Sequence, residues 1–155
     1  MRIGVTESIA ASADSIFIFS QDYSKRLSWD PFLREAILLG GAVSAGVGAR
    51  SWCVSRFGLG MESEYVSYNP PKVVAVKMTK GPWILRQFAA SWSFHAVGAR
   101  EAEVSFLYSF QVRTYLRPLA PLIGIFFRYE MKRRLQSLKR ACESGLRDLP
   151  VASHQ

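Results

Sequence analysis

The sequence predicts an α+β fold: a strongly bent antiparallel sheet of about six to seven strands wrapped around one long C-terminal helix, with two short helices after the first strand. Three observations predict it. Residues 116–146 carry an apolar stripe at helical spacing: Leu119, Ile123, Phe126, Met131, Leu135, Leu138, Cys142 and Leu146. The opposite side is basic, with Arg128, Lys132, Arg133, Lys139, Arg140 and Arg147. Most of the preceding chain alternates apolar and polar residues with period two, broken by glycine and proline turns. A helix of this length runs roughly 45 Å, and only a broad sheet can cover such a stripe.

In chain order, Ile3, Val5, Glu7 and Ile9 alternate with Arg2, Gly4, Thr6 and Ser8 as a first strand. Ser12-Ala13-Asp14 supplies N-cap chemistry for a short helix over 13–22. Another helical turn spans 25–29 and stops at Trp29-Asp30-Pro31, because a residue before proline leaves the helical region. Strands follow over 33–39, 50–57, 61–68, 73–79, 85–97 and 103–114. Gly40-Gly41, Gly58-Leu59-Gly60, Asn69-Pro70-Pro71, Gly81-Pro82 and Gly98-Ala99-Arg100 punctuate them. On the two long strands one face is aromatic and the other small or polar, the pattern of a sheet solvated on one side.

The chain has 155 residues, 49% hydrophobic and 21% charged, which supports one domain over 1–149 and a flexible tail over 150–155. A formal charge of +8 admits anionic partners, including peripheral contact with a membrane. No nucleic-acid-binding motif accompanies it, so nucleic acid is not expected. Cys53 and Cys142 lack CxxC spacing, and His95 and His154 belong to no ligand set. The expectations are no metal, no cofactor and a reduced cytoplasmic setting. The N-terminus lacks a signal-peptide pattern, and no apolar run is long enough to span a bilayer.

Four stretches cover nearly the whole chain: ESIAASADSIFIFSQDYSKRLSWDP, YVSYNPPKVVAVKMTKGPW, SWSFHAVGAREAEVSFLYSF and MKRRLQSLKRACE. Together they resemble the START-like helix-grip superfamily, the SRPBCC group that includes polyketide cyclase/dehydrase-type and lipid-transfer proteins. The resemblance implies an apolar cavity between the curved sheet and the last helix, holding a lipid, polyketide, quinone or similar molecule. These motifs mark fold more than function.

Candidate lining residues are Phe88, Trp92, Phe94, Phe106, Tyr108 and Phe110 on the long strands, with Ile123 and Phe127 on the helix. Three candidates carry chemistry. Tyr108 is a ring whose hydroxyl needs a partner once buried. Glu35 alternates with Leu33 and Ile37, and an inward carboxylate in an apolar cavity would have a raised pKa. Arg86 shares the alternation of Phe88 and Trp92, and would suit an anionic or carbonyl-bearing ligand. Glu62, Glu64 and His95 read as surface residues. The basic run Lys132-Arg133-Arg134 with Lys139-Arg140 reads as a solvated helix face. The favoured function is binding or transport of a hydrophobic small molecule. The alternatives are a cyclase, aromatase or dehydratase using cavity acid–base groups, and a protein- or RNA-associated module using the basic helix.

Overall fold

The computed structural model describes residues 1–147, with side chains through residue 144; the expected tail over 150–155 lies outside the described residues. The elements are β1 (Arg2–Ile9), α1 (Ala13–Gln21), α2 (Arg26–Trp29), β2 (Leu33–Leu38), β3 (Arg50–Ser55), β4 (Gly60–Asn69), β5 (Val73–Lys80), β6 (Leu85–Gly98), β7 (Glu101–Val112) and α3 (Ala120–Arg147). A 3₁₀ turn, Thr114–Leu119, leads into α3. All seven strands form one antiparallel sheet in the order β1-β7-β6-β5-β4-β3-β2. The sheet curls into a half-barrel around α3.

Local chemistry sets the element ends. The Ser12 side chain accepts from the Ser15 amide at 3.2 Å and caps α1. Pro118 sits in the 3₁₀ turn, and α3 starts at Ala120 with Pro121 in its first turn, where a missing N–H costs nothing. Gly58, at φ 88°, turns the β3–β4 hairpin in a conformation that a side chain would strain.

Register shifts fall between Leu33 and Glu35, Glu62 and Ser63, Tyr65 and Ser67, Leu85 and Gln87, and Ala96 and Gly98. Each extra residue bends its strand and adds twist, which gives the sheet its curl.

The core is densest under β1, β7 and β6. There Ile3, Ile9, Val104 and Phe106 meet Met131, Leu135, Leu138 and Cys142 of α3, all buried. Phe17 of α1 packs edge-on against Phe94 at 5.1 Å. The apolar stripe of α3 divides at Phe127. Beyond it the stripe is sealed, whereas Leu119 and Phe126 at its start are exposed.

Candidate functional site

A cavity of about 530 Å³ opens between the concave face of the sheet and α3, within the range of small-molecule sites. On one side β6 and β7 contribute Phe88, Trp92, Phe106 and Tyr108. On the other, β3, β4 and β5 contribute Ser51, Cys53, Ser55, Ser63, Val74 and Val76. The first turns of α3 supply Ile123, Phe126 and Phe127. The hollow survives its many rings for a packing reason. Trp92 and Phe106 face each other in register and stack at 3.8 Å, while the opposing wall, Met61 and Tyr65 apart, is built of small side chains.

Six of the eight expected lining residues line this space: Phe88, Trp92, Phe106, Tyr108, Ile123 and Phe127. Phe94 and Phe110 do not. Phe94 is spent on Phe17, and Phe110 packs edge-on against Phe127 at 4.9 Å. Glu35 and Arg86 are also outside the cavity. Each is exposed and lies at a register shift, between Leu33 and Glu35 in one case and between Leu85 and Gln87 in the other. The extra residue reverses the inward phase, so Ala36 rather than Glu35 is buried, and Leu85 and Phe88 point in while Arg86 points out. Glu62 is on the outer face as expected, yet it is buried, taking the Thr79 hydroxyl at 2.7 Å and lying 3.7 Å from Arg50. His95 is exposed.

Tyr108 is buried, and its hydroxyl oxygen accepts from Nη1 of Arg134 at 2.5 Å. Burial pushes its pKa up, and the facing guanidinium offsets only part of that. At neutral pH it is therefore a hydrogen-bonding group and not a base.

The sequence alone puts Arg134 in a basic surface run. It is instead 6% exposed and lines the cavity with Arg26. Both guanidinium groups close on Asp30. Arg26 Nε donates to it at 3.0 Å, and Arg134 donates through Nη2 at 2.8 Å and Nε at 3.1 Å. The Phe32 amide adds a further bond at 3.1 Å. Burial alone would raise the Asp30 carboxyl, but Arg134 and Arg26 outweigh it and hold its pKa below the usual value. Burial opposes the charge of both arginines, but their neighbours, Asp30 foremost, together more than restore it. The signal was present in the sequence: Arg134 lies three residues after Met131 and four before Leu138, on the stripe itself. Within the basic run, Lys132 and Arg140 remain exposed, while Lys139 reaches the Ser8 carbonyl at 2.5 Å and Glu143 at 3.0 Å.

A second polar group lies along the wall. Tyr65 donates to the Gln21 amide oxygen at 2.8 Å, and its hydroxyl is 2.8 Å from that of Tyr23. Nearer the mouth, Glu130 is buried and held by both terminal nitrogens of Arg56, with Arg133 at 3.7 Å. The mouth has an apolar collar of Phe57 and Leu59 from the β3–β4 hairpin, Pro82, Leu119 from the 3₁₀ turn, and Leu122 and Phe126 at the head of α3. Phe57 and Phe126 touch across it at 5.6 Å.

Among the described residues, no group of His, Cys, Asp and Glu could hold a metal ion, and no helix is long and apolar enough to cross a membrane.

Solved structures share this architecture. A START superfamily protein from Mycobacterium smegmatis superposes with a TM-score of 0.80 at 12% identity, over 92% of this chain and 97% of that one. The Zhui aromatase/cyclase from Streptomyces sp. R1128 gives 0.80 at 15% identity, over 96% of each chain. Norcoclaurine synthase from Thalictrum flavum, solved with dopamine and hydroxybenzaldehyde, gives 0.70 at 14% identity, over 97% of this chain and 88% of that one. At these identities the likeness is one of fold. No curated protein sequence matches the chain. A family model does, over residues 2–143, and with the curled sheet, the gripped helix and the hollow between them it places the chain in the polyketide cyclase/dehydrase and lipid transport family.

Proposed function

We propose that this protein binds or carries a hydrophobic small molecule inside the half-barrel. The carrying observation is the cavity of about 530 Å³ with a mainly apolar lining. Ligand would enter through the collar of Phe57, Leu59, Leu122 and Phe126, and this collar is also where peripheral contact with a membrane would be made. The test is uptake of a fluorescent apolar probe, with native mass spectrometry to weigh any co-purified molecule. Ala90→Phe, which adds a ring to the wall, should abolish uptake with the fold retained. Unchanged uptake in that variant, or none by the native protein, would refute the reading.

One observation favours a second reading, catalysis of the cyclase or dehydratase kind. The Tyr108 hydroxyl and the Arg134 guanidinium meet at one point of the wall, as a site that polarises a carbonyl oxygen requires. The Tyr108 proton and the Arg134 charge would stabilise a developing oxyanion without covalent chemistry. An enzyme of this kind would lose turnover in Tyr108→Phe far beyond any loss of binding. A carrier would show no turnover to lose.

A further inference from the structure

The inner wall of the cavity is richer in positive than in negative charge. Arg26 and Arg134, 7% and 6% exposed, share the single carboxylate of Asp30. Two guanidinium groups on one carboxylate leave one net positive charge, offset only in part by ring faces, with Phe32 and Phe106 each 5.2 Å from Arg134 and Trp29 5.0 Å from Arg26. The other ionisable groups on the wall do not cancel it. Glu130 is engaged by Arg56 and Arg133. Cys53, Tyr65 and Tyr108 are held neutral by burial, and Tyr23 bonds to Tyr65.

A second observation is independent of charge. Because the Tyr108 oxygen accepts from Arg134, its own proton must be donated elsewhere, and no described residue accepts it. Arg134 likewise has more N–H groups than its bonds to Asp30 and Tyr108 use. Free donors from two side chains therefore meet beside the hollow that both line. Neutral apolar ligands would leave these donors and this charge unanswered.

We infer that the ligand, if bound in the cavity as proposed above, carries a single carboxylate at its inner end, received by the Arg134 guanidinium and the Tyr108 hydroxyl. A monoanion matches the uncompensated charge. The fork of Arg134 beside a hydroxyl donor matches the two oxygens of a carboxylate. The apolar walls then take the rest of the molecule. The occupant class is a hydrophobic monocarboxylic acid.

The test compares dodecanoate with methyl dodecanoate, each displacing a fluorescent apolar probe from the full chain. The acid should bind at least about tenfold more tightly, the scale of a charge-assisted hydrogen bond. Tyr108→Phe should cut that preference several-fold, and Arg134→Met should abolish it. A purely structural Arg26–Asp30–Arg134 cluster would leave acid and ester equal. Equal affinities, or a preference that persists in both folded variants, would overturn the carboxylate assignment while the apolar probe still reports a working cavity. Failure of the apolar probe itself to bind would remove the cavity reading beneath it. If Arg134→Met does not fold, Tyr108→Phe, which deletes one oxygen atom, decides the matter.

Discussion

The two halves of α3 are built from similar apolar residues and come to opposite ends. From Met131 to Cys142 the stripe is sealed against the sheet, with Leu138 fully buried. From Leu119 to Phe126 it is oily but open, with Leu119 46% and Phe126 39% exposed. Hydrophobicity alone does not separate these halves. What separates them is the opposing surface: close-packed rings and branched chains under the second half, and across the hollow from the first a wall mostly of serines and valines that leaves space unfilled. In this helix an apolar side chain is a stabilising contact only where a partner fills the space beside it.

The comparison can be broken hardest at the buried ion cluster. Asp30→Ala leaves Arg26 and Arg134 buried without a counter-charge and should cost about 3–5 kcal/mol, measured by urea unfolding. Leu138→Ala, in the sealed half, should cost about 3 kcal/mol as a cavity-forming truncation. Its contrast is Leu122→Ser in the open half, 64% exposed on the collar, which should change stability by no more than about 0.5 kcal/mol. A large loss there would mean the collar is structurally committed.

The pH dependence sharpens the same point. The Asp30 carboxyl has a lower pKa folded than its ordinary 3.8. Its contribution is therefore complete above the ordinary value and is lost as pH falls through the lower, folded one. The urea midpoint of the native protein should drop on acidification in that window, and Asp30→Asn should flatten the drop. The smallest effect is kinetic. Burial pushes up the pKa of both thiols, that of Cys142 to about 12, but Cys142 lies in the sealed half whereas Cys53 lines the cavity. Iodoacetamide at pH 8 should modify Cys53 faster than Cys142, and a bound apolar ligand should slow only Cys53. Equal rates would show that the second half breathes as freely as the first.

The architecture was legible because it rests on periodicity. Alternation marked the strands, and Met131, Leu135, Leu138 and Cys142 marked the buried seam of the helix. The cavity wall was legible for the same reason at Trp92, Phe106 and Tyr108. Glu35 and Arg86 were misplaced because a bulge shifts the phase by one residue without any compositional trace. Arg134 was hidden by its neighbours Lys132 and Arg133, which made a wall residue look like part of a solvated run. Asp30 was hidden in another way. Between Trp29 and Pro31 it reads as turn chemistry, and only three-dimensional closure brings it to Arg134, 104 positions away.

The collar has a consequence at the bench. On the binding role proposed above, an open ring of phenylalanine and leucine around a greasy chamber would recruit amphiphiles from whatever medium surrounds it. Detergent micelles, plasticisers and residual fatty acids from cell lysis would all compete for that chamber. Assays on delipidated protein in detergent-free buffer would then differ from those on material taken straight from a column, and the difference would report on what the chamber had been holding.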